Sequence, residues 1–284
     1  MENKASRWNR KKNPGRMVLQ PRDQEIIKAV YEFRVISRQQ LQQLFDMNGA
    51  RRINQRLRKL YDHKYLSRYF LHNNRGSSKA IYYLGPRGAA LVADELGVDL
   101  SVIKRKQKAT SRLHELFLDH ALGLNDIRIA FSLGLANRPG MDMERWINDN
   151  DCQQNYHAVV HGRDVTRRFR PDGYFRIVYQ GKLYSCFVEF DRSTMTVSRF
   201  AGKVHSYIDF GSKGYYQRRF GVQYFRVLVV TKTAERLNNL KKAVGAITDK
   251  LFWFTTIDQI TPDTVFSPIW QRVGKQERYH LIEV

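Results

Sequence analysis

A chain of two domains in the α+β class is what this sequence predicts, on three observations. Apolar residues recur at helical spacing from Pro21 to His63 and then give way to two short β-like runs. From about residue 111 onward, helical patterns alternate with apolar runs of the buried-strand type. The basic charge is shared unevenly: Lys and Arg outnumber Asp and Glu by 25 to 9 over residues 1–113, and by only 24 to 18 over residues 114–284.

The 284 residues leave room for two ordinary domains, and 42% hydrophobic residues are enough to form their cores. A formal charge of +22 argues for a polyanionic partner, nucleic acid first, held mainly by the first part of the chain. Cys152 and Cys186 lie too far apart for a zinc motif and are too few for a disulfide framework, which fits a reducing compartment. No stretch of about 18 apolar residues occurs, and the basic N-terminus lacks the apolar core of a signal peptide. A soluble, intracellular protein without a membrane partner is the expectation.

Residues 1–20 are polar, with Lys4, Arg7, Arg10, Lys11, Lys12 and Arg16 around Pro14-Gly15, and read as a flexible basic arm. Such an arm could track phosphates, or equally be an idle solvated tail. From Pro21, Ile26, Ile27, Val30, Tyr31 and Phe33 form one helical face. Ser37 with Gln40 has the capping-box spacing before Leu41, Leu44 and Phe45. After Asn48-Gly49, Ile53, Leu57 and Leu60 form the inward stripe of a third helix. Its other side carries Arg51, Arg52, Asn54, Gln55, Arg58 and Lys59.

Two helices, a Gly-bearing turn and a third helix with an Arg, Asn and Gln face describe a helix-turn-helix, since these side chains can bond bidentately to guanine and adenine. The β-like runs at Tyr65–Leu71 and Ala80–Leu84 extend it to a winged helix-turn-helix domain over 21–97, with Arg75 and Lys79 on the wing. Arg38, Arg51, Arg52, Gln55, Arg58, Lys59, Arg75 and Lys79 are the candidate DNA contacts. A solvated basic face or a protein-interaction module are the alternatives. Pro86 opens a further helix to about Leu96, and residues 98–110, with Lys104 to Lys108, read as a basic linker.

The second domain, 111–284, begins with a helix bearing Leu113, Leu116, Phe117, Leu124, Ile127 and Phe131. His114 and His120 lack the i, i+4 spacing of a zincin. A strand is expected at Tyr156–Val160. Arg163, Arg167, Arg168 and Arg170 then lead into Asp172, suiting phosphate binding or a solvated rim. Asp172 opens a run with Tyr174, Ile177 and Tyr179, a turn follows at Gln180-Gly181-Lys182, and Leu183–Phe190 returns. If the strands pair, Asp172, Glu189 and Asp191 converge, with Glu189 and Asp191 on one face. That set could hold a divalent cation, Mg²⁺ or Mn²⁺. A helix follows at Thr194–Tyr207, with Val197, Phe200, Val204 and Tyr207 on one face and Arg199 and Lys203 on the other. Phe225–Val230 and Leu251–Thr255 read as buried strands around a helix at Ala234–Ile247.

Pro171-Asp172, Glu189-x-Asp191 and Lys203 on the following helix resemble the core of the PD-(D/E)xK nucleases, whose fold is that of restriction endonucleases. The resemblance implies that the acids hold a metal and that Lys helps position the attacking water. Asp191 stands where that family has Lys, so Lys203 would have to supply the ammonium, and Glu115 or Asp119 could add a carboxylate. Two readings stay open: a metal-dependent endonuclease or nickase using Asp172, Glu189, Asp191 and Lys203, or a nuclease-like fold without its chemistry.

The wider pattern resembles the bacterial replication-relaxation family of plasmids and integrative mobile elements, over about residues 22–270. The carrying residues are Arg22-Asp23-x-x-Ile26, Ser37-Arg-Gln-Gln-Leu41, Tyr83-Leu-Gly-Pro-Arg-Gly-Ala89, His114-Glu-Leu116, Arg170-Pro-Asp-Gly-Tyr174 and Glu189-Phe-Asp-Arg-Ser-Thr194 with Lys203 to Tyr207. It implies a DNA-binding protein of a mobile element, acting in replication, relaxation or transfer from the cytoplasm at nucleoid or plasmid. Its partners would be double-stranded DNA, other replication or transfer proteins, and a second copy in a homodimer. A transcriptional repressor whose second domain dimerises is a further alternative. No GxxxxGK[ST] loop or Ser/His/Asp motif occurs, and His157 and His161 are four apart, unlike the His pair of tyrosine relaxases. Tyr215, Tyr216 and Tyr224 would suit base stacking.

Overall fold

The computed structural model describes residues 8–47, 49–70, 79–111, 115–160 and 162–283. The chain is α+β and divides into two compact units, Met1–Asn125 and Asp126–Val284.

In the first unit, helix α1 (Pro21–Phe33) starts with Pro at its first turn and a reciprocal Gln20–Asp23 cap, and buries Ile26, Ile27 and Val30 completely. A short strand β1 (Ile36–Ser37) leads into α2 (Arg38–Leu44), where Ser37 and Gln40 form the expected capping box. Helix α3 (Ala50–Asp62) buries Ile53, Leu57 and Leu60. Strands β2 (Leu66–Phe70) and β3 (Ala80–Leu84) pair antiparallel, and β1 adds to the other edge of β3. Helix α4 (Pro86–Leu96) follows through Gly85 and Gly88. A Cβ on Gly88 would lie 2.2 Å from the Tyr65 carbonyl oxygen, so the Gly-Pro-Arg-Gly motif is there to let two backbones meet.

Two expectations are corrected in this unit. The segment read as a linker contains helix α5 (Leu100–Ser111), which buries Ile103 and donates from Gln107 to the Leu84 carbonyl; its polar composition hid a single apolar anchor. The arm is not free over Trp8–Lys11. Trp8 packs edge-on to Phe70, and the Arg10 guanidinium lies 4.0 Å over the Tyr61 ring while donating to Leu66 O and Ser67 Oγ. Lys11 N–H donates to Asp62 and Arg58 to Asn9 O. These partners lie about fifty residues away, beyond any local periodicity.

Helix α6 (Glu115–Ala136) carries the boundary between the units. In the first unit, Leu118 packs on Val35 and Ile81, Asn125 donates to Val35 O, and Gln40 donates to Leu122 O at 2.7 Å.

The second unit is built on a mixed sheet. Its elements are β4 (Met141–Asn148), α7 (Asp149–Cys152), β5 (Gln154–Val160), β6 (Arg163–Phe169), β7 (Gly173–Tyr179), β8 (Lys182–Asp191), α8 (Val197–Ser212), α9 (Tyr215–Phe220), β9 (Arg226–Thr231), α10 (Ala234–Gly245), β10 (Phe252–Thr256), β11 (Trp270–Arg272) and β12 (Arg278–Tyr279). Seven strands run in the order β12-β11-β10-β9-β8-β7-β4, with β8, β9 and β10 parallel; β5 and β6 form a separate two-stranded ribbon. The β7–β8 turn has positive φ at both Gln180 and Gly181, the type I′ geometry whose twist suits a hairpin. On one sheet face Tyr174, Phe187, Val227, Val229 and Phe252 meet Phe200, Val204 and Tyr207 of α8 and Leu237 and Leu240 of α10. On the other, Phe131 of α6 contacts Phe175, Phe266 and Trp270.

Candidate nucleic-acid face and buried acidic cluster

In the first unit the inward stripe of α3 turns the opposite side of the helix to solvent. Arg51, Arg52, Gln55 and Lys59 are exposed there and make no hydrogen bond or ion pair among the described residues. Arg58 is turned back: it pairs with Asp62 at 2.8 Å, one helical turn on. Arg56, between them in sequence, leaves the face for the fully buried Asp23, whose carboxylate takes two of its N–H groups and raises the guanidinium pKa. Arg38 is half-buried and lines a cleft of about 340 Å³ with Asn54, Lys79 and Tyr82. A second cleft of about 550 Å³ is lined by Lys11, Arg52, Gln55, Arg58 and Lys59. Arg75 lies outside the described residues, as do His114 and the side chain of Glu115. Asp119 is exposed on the part of α6 that belongs to the first unit.

In the second unit, residues 187, 189 and 191 of β8 share the face covered by α8 and α10, because strand side chains alternate. Glu189 is 3% exposed and both its oxygens are taken: Tyr207 donates its hydroxyl to Oε1 at 2.6 Å, and the Lys203 ammonium bonds Oε2. Lys203 also lies 3.7 Å from Asp172 Oδ1, while Asp172 Oδ2 accepts from the Phe190 N–H at 2.9 Å. Asp172 and Glu189 therefore meet at the hairpin end, with Lys203 between them.

Asp191 shares that strand face but not the cluster. Arg236 of α10 bonds it bidentately, Nε at 2.8 Å and Nη2 at 2.9 Å, and also reaches Met195 O; the Ser193 N–H adds a bond of 2.8 Å. Asp191 thus clamps the 191–195 loop to α10. Among the described residues, no group of three or more His, Cys, Asp and Glu side chains is placed to hold a metal ion.

Burial raises the Glu189 carboxyl to about 7, opposed by Lys203 and reinforced by the Asp172 charge. Burial works against the Lys203 ammonium, but Asp172 and Glu189 outweigh it and hold its pKa above the ordinary value. Tyr207 is pushed well up by burial and by Glu189. Burial also pushes Cys152 and Cys186 up to about 12, so neither is a thiolate near neutrality.

Two participants escaped the sequence reading. Helical periodicity places Tyr207 on an apolar face, although its i+4 spacing from Lys203 on one helix is a usable signal. Arg236 carried none, since it meets Asp191 across 45 residues. Of the aromatic residues offered for stacking, Tyr216 is 1% exposed within the core and Tyr224 is 83% exposed.

A family model described as replication-relaxation matches residues 27–224. No curated protein matches the chain. No solved structure matches it either.

Proposed function

The chain belongs to the replication-relaxation family, and on that premise we propose that it is a duplex-DNA-binding protein of a mobile genetic element, acting in replication, relaxation or transfer. The observation that carries this reading is the α3 face: four polar or cationic side chains, Arg51, Arg52, Gln55 and Lys59, open to solvent opposite a fully buried stripe. In this reading α1, α2 and α3 are a helix-turn-helix, β2 and β3 are its wing, and α3 enters the major groove. Arg and Gln supply the base-edge contacts, and Lys59 and the cleft cations Arg38 and Lys79 neutralise phosphates.

The test is fluorescence anisotropy of the full chain on duplex from its own upstream DNA, across a salt series. Arg52→Ala with Lys59→Ala should weaken binding at least tenfold and reduce the salt slope by about one, as loss of one base contact and one phosphate contact requires. Unchanged affinity and slope would sink the α3 assignment.

The second unit is read as a nuclease-like core kept for binding or assembly. A metal-dependent endonuclease or nickase is a second reading, favoured by Lys203 lying between Asp172 and Glu189. The full set of three acids does not fit a divalent cation, because Asp191 is held by Arg236. Asp172 and Glu189 are the residues that would hold Mg²⁺ or Mn²⁺, which would supply Lewis-acid chemistry there. Supercoiled plasmid nicked by wild type, but by neither Asp172→Ala nor Glu189→Ala, would decide for the second reading; intact plasmid with DNA binding verified in the same tubes would decide against it.

A further inference from the structure

The β5–β6 ribbon carries a surface that neither the α3 face nor the acidic cluster uses. Its two strands pair over seven residues each, from Gln154 opposite Phe169 to Val160 opposite Arg163. One side is core: Tyr156, Ala158 and Phe169 are buried, and Phe169 stacks on Phe210 of α8 with ring centroids 3.9 Å apart. Arg167 lies on this side too and is neutralised by Asp209 at 3.3 Å.

The other side is solvent. Antiparallel partners point the same way, so His157 with Thr166 and Asn155 with Arg168 share it, and all four are exposed. Arg168 bonds the neutral Gln153 amide and makes no ion pair among the described residues; Asp164 lies on the same side farther along the strand. The chain leaves β6 directly through Arg170, which is exposed and makes no hydrogen bond or ion pair among the described residues. Arg170 stands close enough to the acidic cluster for its charge to oppose that of Lys203.

We propose that this outward ribbon face, from His157 and Thr166 through Asn155 and Arg168 to Arg170, is a second duplex-DNA contact, gripping the phosphate backbone through Arg168 and Arg170. Seven residues of strand span about 20 Å at roughly 3.3 Å each, and a two-stranded ribbon is narrow enough for a major groove about 12 Å wide. The proposed face, four residue steps from Thr166 to Arg170, is about 13 Å long and covers about four nucleotides of one strand at a rise of about 3.4 Å each. Arginine suits the ends of such a track because its planar fork pairs with phosphate oxygens bidentately. The proposal rests on the DNA-binding reading above, and deepens it by giving the second unit its own share of the duplex.

The experiment uses the full chain on the same duplex. Arg168→Ala with Arg170→Ala should reduce the salt slope by about two and weaken binding roughly tenfold at physiological salt, with an unchanged thermal midpoint. In parallel, His157→p-benzoylphenylalanine should crosslink to the duplex on irradiation, as should the same substitution at Gln55. Crosslinking at 55 but not at 157, together with an unchanged slope for the double variant, would overturn the ribbon contact and leave the α3 reading standing. Crosslinks from 157 to RNA or protein in place of duplex would overturn it as well. Wild type that does not bind duplex at all would remove both readings.

Discussion

The Tyr207 hydroxyl donates to Glu189 Oε1 at 2.6 Å, four residues along α8 from the Lys203 ammonium that bonds the other carboxylate oxygen. One helix therefore grips both oxygens of a carboxylate that the sheet has taken out of water. Such a group stays ionised only while its partners hold, and this makes its environment readable in stability measurements.

Glu189 should make stability fall with pH. Its folded pKa, about 7, lies above the ordinary 4.5, so the folded state holds the proton to higher pH than the unfolded chain. The contribution is fully present below about pH 4.5 and is lost as pH rises through about 7. Urea denaturation of wild type and Glu189→Gln across this range should show the wild type losing about 3 kcal/mol relative to the variant. A difference independent of pH would mean that the carboxyl titrates normally.

Tyr207→Phe should cost about 2 kcal/mol, because a bond to a charged, buried acceptor is lost and the acceptor is not resolvated. The same variant should move the pH-dependent loss to higher pH, since the ionised form of Glu189 has one donor fewer. Urea titrations at two pH values separate the two effects; a stability loss without the pH displacement would indicate packing alone.

Asp191 and Arg236 should behave as a structural pair. Asp191→Ala leaves a guanidinium that is 13% exposed without its carboxylate, and should cost about 3 kcal/mol. Replacing both, Asp191→Ala with Arg236→Met, should cost less than the sum of the single changes by at least about 1 kcal/mol. Additive losses in a urea double-mutant cycle would contradict the clamp.

Gly88→Ala should destabilise the first unit by about 3 kcal/mol, although alanine is the better helix former, because the new methyl would meet the Tyr65 carbonyl oxygen at 2.2 Å. Gly97→Ala, where nothing lies within 4 Å but φ is +61°, should cost about 1 kcal/mol. Thermal melts of the two variants give the comparison, and equal losses would argue against close backbone approach at Gly88.

Much of the secondary structure was legible because its causes lie within a few residues. The Ser37–Gln40 box, the α3 stripe of Ile53, Leu57 and Leu60, and the Gln180-Gly181 hairpin all follow from spacing and turn chemistry. Asp172 and Glu189 were legible for the same reason, since a tight turn sets the hairpin register and leaves Gly173 opposite Val188. The arm and the 98–110 segment were misread because composition reports average polarity, whereas Arg10, Lys11, Ile103 and Gln107 act as single anchors with distant partners.

The sequence by itself determined the buried stripes of α1 and α3, the β7–β8 turn and the approach of Asp172 to Glu189, because periodicity, capping and turn geometry are local. Only the tertiary structure decided what each charge meets. Lys203 and Tyr207 reach Glu189, and Arg236 reaches Asp191, because the parallel β8-β9-β10 order sets α8 and α10 over one face of β8. The exposed side of the β5–β6 ribbon likewise exists only once Phe169 has committed the opposite side to the core. Charge pairing depends on distance through space, and chain closure over tens of residues sets that distance without leaving a mark in local spacing.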